Sequence, residues 1–141
     1  MDHVVYVDHK AQELEKLLEG AKTCIIRGAA GRKLPYGRVN PGDILYFIRN
    51  NGEGLVRARG QVSDVFNSEK MDKDESIQLV EDNHAKLQLS PQQLKKWAGK
   101  RYLVLIDVDE VQVVEAFPID KSGYSNMDDW LPVEDIDSVK T

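Results

Sequence analysis

Cysteine is nearly absent from this chain and histidine is scarce: one cysteine, Cys24, and three histidines stand in 141 residues. A lone cysteine closes no intramolecular disulfide, and so few scattered thiols and imidazoles supply no familiar zinc spacing. Long apolar runs are missing too; none approaches the roughly 20 residues that a membrane-spanning helix needs. The opening MDHVVYVDHK lacks the basic-then-apolar pattern of a secretory signal. These absences set aside a disulfide scaffold, a structural-zinc domain, a membrane protein and a secreted one, and the expected setting is reducing and cytoplasmic. No metal and no cofactor are expected. What is present is ordinary globular composition, 41% hydrophobic and 30% charged. The length suits one domain over residues 1–141, with a core at about 10–119 and a docked tail at about 120–141.

The net charge of -5 is unevenly spread. Residues 1–60 hold 10 Lys/Arg against 7 Asp/Glu, whereas residues 61–141 hold 9 against 17. No acidic residue lies between Glu19 and Asp43, a stretch that carries Lys22, Arg27, Arg32, Lys33 and Arg38. Salt confines electrostatic fields to about 10 Å at 0.1 M, so a local basic cluster attracts phosphate even on an acidic protein. The competing reading is a solvated basic face.

Hydrophobic periodicity gives the elements. His3–Val7 alternates weakly and ends at Asp8, a suitable helix N-cap. Leu14, Leu17 and Leu18 make a helical stripe that Gly20 stops. Thr23–Arg27 is short and apolar at its centre, which predicts a strand. The segment 28–38, GAAGRKLPYGR, is a basic loop. Asn40-Pro41-Gly42-Asp43 fits a type II turn into the strand Ile44–Ile48. Asn51-Gly52 signals a hairpin into Gly54–Phe66, with Gly60 as a bulge. Ile77, Val80 and His84 share a helical face. Ser90-Pro91-Gln92-Gln93 starts another helix with a capping box, flanked by Leu89 and Leu94 as a hydrophobic staple. Tyr102–Val114 is the strongest strand; 120–129 is a polar loop and 130–139 a docked tail. Strands dominate and two places hold helices. The expected class is α+β, mainly β: a mixed, largely antiparallel sheet curled into a small barrel.

Several chemical motifs fail on detail. The 28–37 loop has Arg32, Lys33, Leu34 and Pro35 where a phosphate loop needs Gly-Lys-Ser/Thr opening a helix. Cys24 sits in an apolar strand, which reads as packing and not as a nucleophile. His84 on an apolar face reads as a half-buried structural histidine. Asp107, Asp109 and Glu110 read as the polar face and end of a strand.

One constellation is more specific. Gly20-Ala21-Lys22-Thr23-Cys24-Ile25-Ile26-Arg27 joins a leucine-striped helix to a strand, and Pro41-Gly42-Asp43 then leads into ILYFI. This resembles the ASCH branch of the PUA-like superfamily, whose signature is Gly-x-Lys-x-x-Glu-x-Arg followed by a Gly-Asp turn. Gly20, Lys22 and Arg27 match; the glutamate position is Ile25. LKKW…RYLVLIDVDEV is similar to the helix and closing strand of that fold, so the resemblance spans roughly residues 10–115. It implies a PUA-like small mixed β-barrel with two or three peripheral helices and a cleft beside the motif, in a class thought to bind RNA or modified nucleotides. Some small bacterial members that resemble the chain further are amidohydrolases acting on acetylated cytidine. They use a motif lysine, a strand threonine and a helical glutamate. Lys22 matches the lysine, but the threonine position is Ile25 and the glutamate falls at Gln88. Isoleucine has no hydroxyl and glutamine accepts no proton as a base. Thr23 offers the nearest hydroxyl, on the same face of a straight strand as Ile25 and roughly 6–7 Å from it.

The residues themselves agree in part. Arg27 carries a planar donor fork suited to phosphate or a base edge, and Lys22 a point charge. Tyr36 in the basic loop is placed to stack on a base. The competing readings are a carboxylate partner for Arg27 inside the barrel and loop packing for Tyr36. The expected function is an RNA- or nucleotide-binding module using Lys22, Arg27, Arg32, Lys33, Tyr36 and Arg38. Two alternatives stand beside it. One is a nucleoside amidohydrolase-type enzyme using Lys22 and Thr23. The other is a protein-interaction module using the acidic C-terminal half and the tail around Trp130.

Overall fold

The computed structural model describes residues 1–124 and 129–141. In chain order the elements are β1 (Asp2–Val7), α1 (Glu13–Glu19), β2 (Cys24–Ala29), β3 (Ile44–Arg49), β4 (Leu55–Asn67), α2 (Lys73–Asp82), α3 (His84–Leu87), α4 (Pro91–Trp97), β5 (Tyr102–Pro118) and β6 (Trp130–Glu134). One 3-10 turn, Ile136–Ser138, follows. Six strands form one sheet in the order β2-β5-β4-β3-β1-β6. Only β1 and β3 pair in parallel; the other neighbours are antiparallel. The sheet curls into a half-barrel, and three helices of seven or more residues flank it. The mainly-β α+β class is as expected.

β2 shows why the curl is stable. Ile25 packs inside with Val5, Leu14, Phe47 and Ile106. Its neighbours Cys24 and Ile26 pack on the other face, against Val80, Leu87 and Trp97 of the helices. An apolar run with no polar alternation is what a strand buried on both faces requires. Thr23 precedes this strand and is exposed, so it does not share the buried face of Ile25.

Bulges produce the bend. β4 slips register against β5 between Arg59 and Gln61, at Gly60, and again on either side. A side chain at Gly60 would meet Val111 Cγ2 at 3.1 Å. Across from it Glu110 adopts φ 52°, an uncommon value for a residue with a side chain. β5 therefore bends at Asp109–Glu110, which the sequence reads as a strand's polar end, and runs past the expected boundary at Val114 to Pro118.

Two helix starts differ in outcome. The capping box of α4 forms as read, with Ser90 Oγ accepting from Gln93 N–H and Gln93 Oε1 accepting from Ser90 N–H. α1 begins later than expected, after Gln12 in the left-handed region. Asp8 spends its carboxylate on Ala11 N–H, in a turn that precedes the helix. Gly20 stops α1 with φ 78°, as glycine permits. His84 is a correction: it opens the separate short helix α3 and is exposed, because α2 ends at Asp82, with Asn83 as its C-cap, and the face His84 was assigned to breaks there. The C-terminal segment docks as a true edge strand, β6 on β1. No helix among the described residues is long and apolar enough to cross a membrane.

Candidate functional site

The last residues of β2 carry Arg27 to the mouth of the half-barrel. Its side chain is only 6% exposed. Nη1 donates to the Ile26 carbonyl at 2.8 Å and Nη2 to the Tyr6 carbonyl at 2.7 Å. The guanidinium lies 5.8 Å from the Trp97 ring centre and 5.7 Å from that of Trp130. Two indoles therefore hold one cation, a geometry in which cation–π attraction adds to packing. Nε lies 3.2 Å from Asp129 Oδ2. That contact is an ion pair without hydrogen-bond alignment, so Nε has no hydrogen-bond partner among the described residues. A buried donor left open is costly unless something supplies an acceptor.

Trp130 is itself fixed from behind. Its indole N–H donates to His3 Nδ1 at 3.1 Å, and His3 Nε2 donates to Asp43 Oδ2 at 2.8 Å. The indole donor dictates this imidazole tautomer. Burial lowers the His3 pKa, against the opposing pull of Asp43, and so favours the neutral ring. Burial by itself would raise the Asp43 pKa. The Asn40 N–H and His3 outweigh it and hold the carboxyl below its ordinary value. The Pro-Gly-Asp turn thus orients a cleft wall through a carboxylate–imidazole–indole chain.

The cleft above Arg27 encloses about 270 Å³. Gly28 forms part of its floor, and a side chain there would meet Leu103 Cδ2 at 2.6 Å. Lys33 and Tyr36 reach it from the basic loop, Lys96, Trp97 and Lys100 from α4 and its exit, and Tyr102 from β5. Asp129 is the carboxylate of the lining. A second hollow of about 270 Å³ shares Arg27, Lys96, Trp97 and Asp129 with the first, and adds Tyr6, Glu13, Asn50 and Lys121 among others. The two form one groove crossed by Arg27. Its first half joins four cationic side chains to four aromatic ones. That combination holds planar, anionic molecules well.

The residues singled out from the sequence separate into groups. Arg27, Lys33 and Tyr36 meet in the cleft. Tyr36 is tied down by its hydroxyl, which donates to the Ser68 carbonyl, and by an edge-on contact with Tyr102 at 5.7 Å. Arg32 stands at the rim, 5.7 Å from the Tyr36 ring and 5.6 Å from the Tyr102 ring. Arg38 is exposed on the loop and does not line the cleft. Lys22 is 1% exposed and lines neither hollow. Its Nζ donates to the Leu87 carbonyl and lies 3.4 Å from Glu13 Oε2. Burial lowers its pKa, with Glu13 pulling the other way. Lys22 stands behind the groove and touches it only through Glu13. Thr23 is exposed and lines neither hollow. At Gln88 the backbone is left-handed and the amide donates to the Ala85 carbonyl. Burial, reinforced by Asp107, pushes the Cys24 thiol up to about 12, as suits a packing residue.

The segment 94–102, LKKWAGKRY, supplies much of the cleft and was read from the sequence only as a helix and a strand start. The segment interleaves Lys95, Lys96, Lys100 and Arg101 with Trp97 and Tyr102, a local pattern visible in the sequence. Trp130 carried no such signal. It reaches the cleft because β6 pairs with β1, a contact between the two ends of the chain.

No family model matches the chain, and no curated protein matches it. Solved structures do. The ASCH protein from Zymomonas mobilis aligns over 99% of this chain and 96% of its own, at 15% identity and a TM-score of 0.65. A point-mutant form of that protein aligns over 99% of both chains, at 14% identity and a TM-score of 0.65. A second mutant form gives 16% identity and a TM-score of 0.64 over 94% of this chain and 89% of its own. With near-complete coverage and the strand order already described, the chain has the fold of an ASCH domain.

Proposed function

We propose that the chain is an RNA- or nucleotide-binding module and that the cleft over Arg27 is its binding site. The observation that carries this reading is the buried Arg27 guanidinium in the cleft lining, held between Trp97 and Trp130, with Nε facing Asp129 and lacking a hydrogen-bond partner among the described residues. In this reading Nε donates to a phosphate oxygen or a base carbonyl, and Asp129 gives way or accepts from a base amino group. Lys33, Lys96 and Lys100 neutralise phosphate, while Trp97 and Tyr36 offer stacking faces worth about 1–3 kcal/mol per base. Arg32 extends the charge along the rim. The pairing of aromatic faces with cations favours a nucleotide over a plain anion such as sulfate, which gains nothing from stacking.

The test is fluorescence anisotropy with labelled single-stranded RNA, duplex RNA and DNA at about 50 mM and 200 mM salt. Single strands bind better than duplexes, because an unstacked base is needed to enter the cleft. Each lost phosphate contact flattens the log–log salt slope by about 0.7 for a single strand, so Lys33→Ala with Lys100→Ala reduces it by about 1.4. Binding that ignores salt and survives this double variant contradicts the proposal.

A further inference from the structure

A second concave surface shares no residue with the cleft. It lies where the end of β4 meets α2. Phe66 stands there 50% exposed, opposite Leu105 of β5. One hollow of about 630 Å³ lies on one side of it, floored by Phe66, Met71 and Leu79. A smaller one of about 260 Å³ lies on the other side and shares Phe66 and Leu79. Phe66 lines both hollows and keeps half its surface in water, apolar area that a partner's side chain would bury.

The charge around this ridge is predominantly negative. Glu69, Asp74, Glu75 and Asp82 rim the larger hollow, and Asp64 and Asp107 the smaller. Lys86 is the one base on either lining among the described residues, and Asp107 takes its ammonium at 2.9 and 3.2 Å. Among the described residues, three of the other carboxylates accept hydrogen bonds only from amide groups: Glu75 from Asp72 N–H, Asp82 from Gln78 and Asp64 from Val65 N–H. Amide donors bring no neutralising charge, so the rim keeps its negative field. That field repels nucleic acid and anionic lipid, and no group of His, Cys, Asp and Glu suited to a metal ion exists among the described residues. A protein segment meets both demands: an apolar side chain against Phe66 and Leu79, and flanking cations toward Glu69, Asp74 and Asp82.

We propose that this face binds a lysine- or arginine-bearing segment of a partner protein, anchored by one apolar side chain beside Phe66. It is independent of the nucleotide reading. The experiment is selection of random displayed peptides on the intact chain, followed by anisotropy with the enriched sequences. The variants are Phe66→Ser and the charge reversal Glu69→Lys with Asp82→Lys; their far-ultraviolet spectra check folding. The expected result is enrichment of peptides with several basic residues around an apolar one. Their binding weakens at least about tenfold in each variant and falls with added salt. The proposal is overturned by peptides without basic residues, by binding that both variants leave unchanged, or by no Phe66-dependent enrichment. Self-association in sedimentation velocity that Phe66→Ser abolishes also overturns it, because the occupant is then a second copy.

Discussion

Lys22 is the residue that the sequence motif favours most, yet the structure gives it a structural position, and the difference is measurable. Its ammonium lies 3.4 Å from Glu13 Oε2, with exposures of 1% and 3%. At an effective dielectric of about 20 the attraction is roughly 5 kcal/mol, and desolvation of two buried charges offsets most of it. Lys22→Met removes the attraction but leaves the Glu13 charge buried, with Asp8 N–H as its remaining donor among the described residues. The expected loss is about 3–5 kcal/mol. Adding Glu13→Gln removes the stranded charge, and only the Leu87 carbonyl is then short of a partner, a cost of about 1 kcal/mol. The double variant is therefore more stable than Lys22→Met by about 2–4 kcal/mol. In urea, with a slope near 2 kcal/mol/M, Lys22→Met shifts the midpoint down by about 2 M and the double variant by about 0.5 M. RNA binding by the double variant stays within about threefold of that by Glu13→Gln alone, because Lys22 itself lines neither hollow. A double variant no more stable than Lys22→Met refutes the ion-pair reasoning. A stable double variant that loses the binding Glu13→Gln alone retains refutes the structural role of Lys22.

Other outcomes follow from the same geometry. Gly28→Ala places a methyl 2.6 Å from Leu103 Cδ2 and 3.0 Å from the Tyr102 carbonyl, so calorimetry records a loss of about 1–3 kcal/mol. Arg27→Lys keeps the charge but loses the fork that reaches the Ile26 and Tyr6 carbonyls together. Ligand affinity falls at least about tenfold with the fold retained by circular dichroism, and unchanged affinity removes Arg27 from the site. His3 has a lowered pKa, so between that value and 6.5 the unfolded chain holds more protons. Stability is flat for this group above 6.5 and falls as pH drops through that window. Asp43 adds a further loss as pH falls from 3.8 toward its own lowered value. Melting curves across this range show the first step in the parent chain and not in His3→Gln; an identical pH profile contradicts the neutral-imidazole assignment.

Local signals were the legible ones. The Ser90 capping box, the Gly20 stop, the turn at 40–43 and the bulge at Gly60 depend on residues within a few positions of each other. The helix–strand motif with its Gly-Asp turn was enough to indicate the ASCH fold. What escaped depends on long-range pairing. Trp130 meets His3 across 127 positions, a contact with no periodicity to announce it. Lys22 looks like a free cation in the sequence because nothing nearby reveals that Glu13 and the Leu87 carbonyl will enclose it. Arg27 was legible as a donor fork but not as the cation between two indoles.

Trp97 and Trp130 are the two tryptophans of the chain, and both line the cleft. Intrinsic tryptophan emission therefore reads the central claim directly. The measurement is emission during titration with single-stranded RNA and with nucleoside monophosphates, in the parent chain and in Arg27→Lys. The account predicts saturable quenching or a spectral shift that weakens with salt and is lost in Arg27→Lys. Emission that never changes while RNA binds by anisotropy places the ligand elsewhere and contradicts the account.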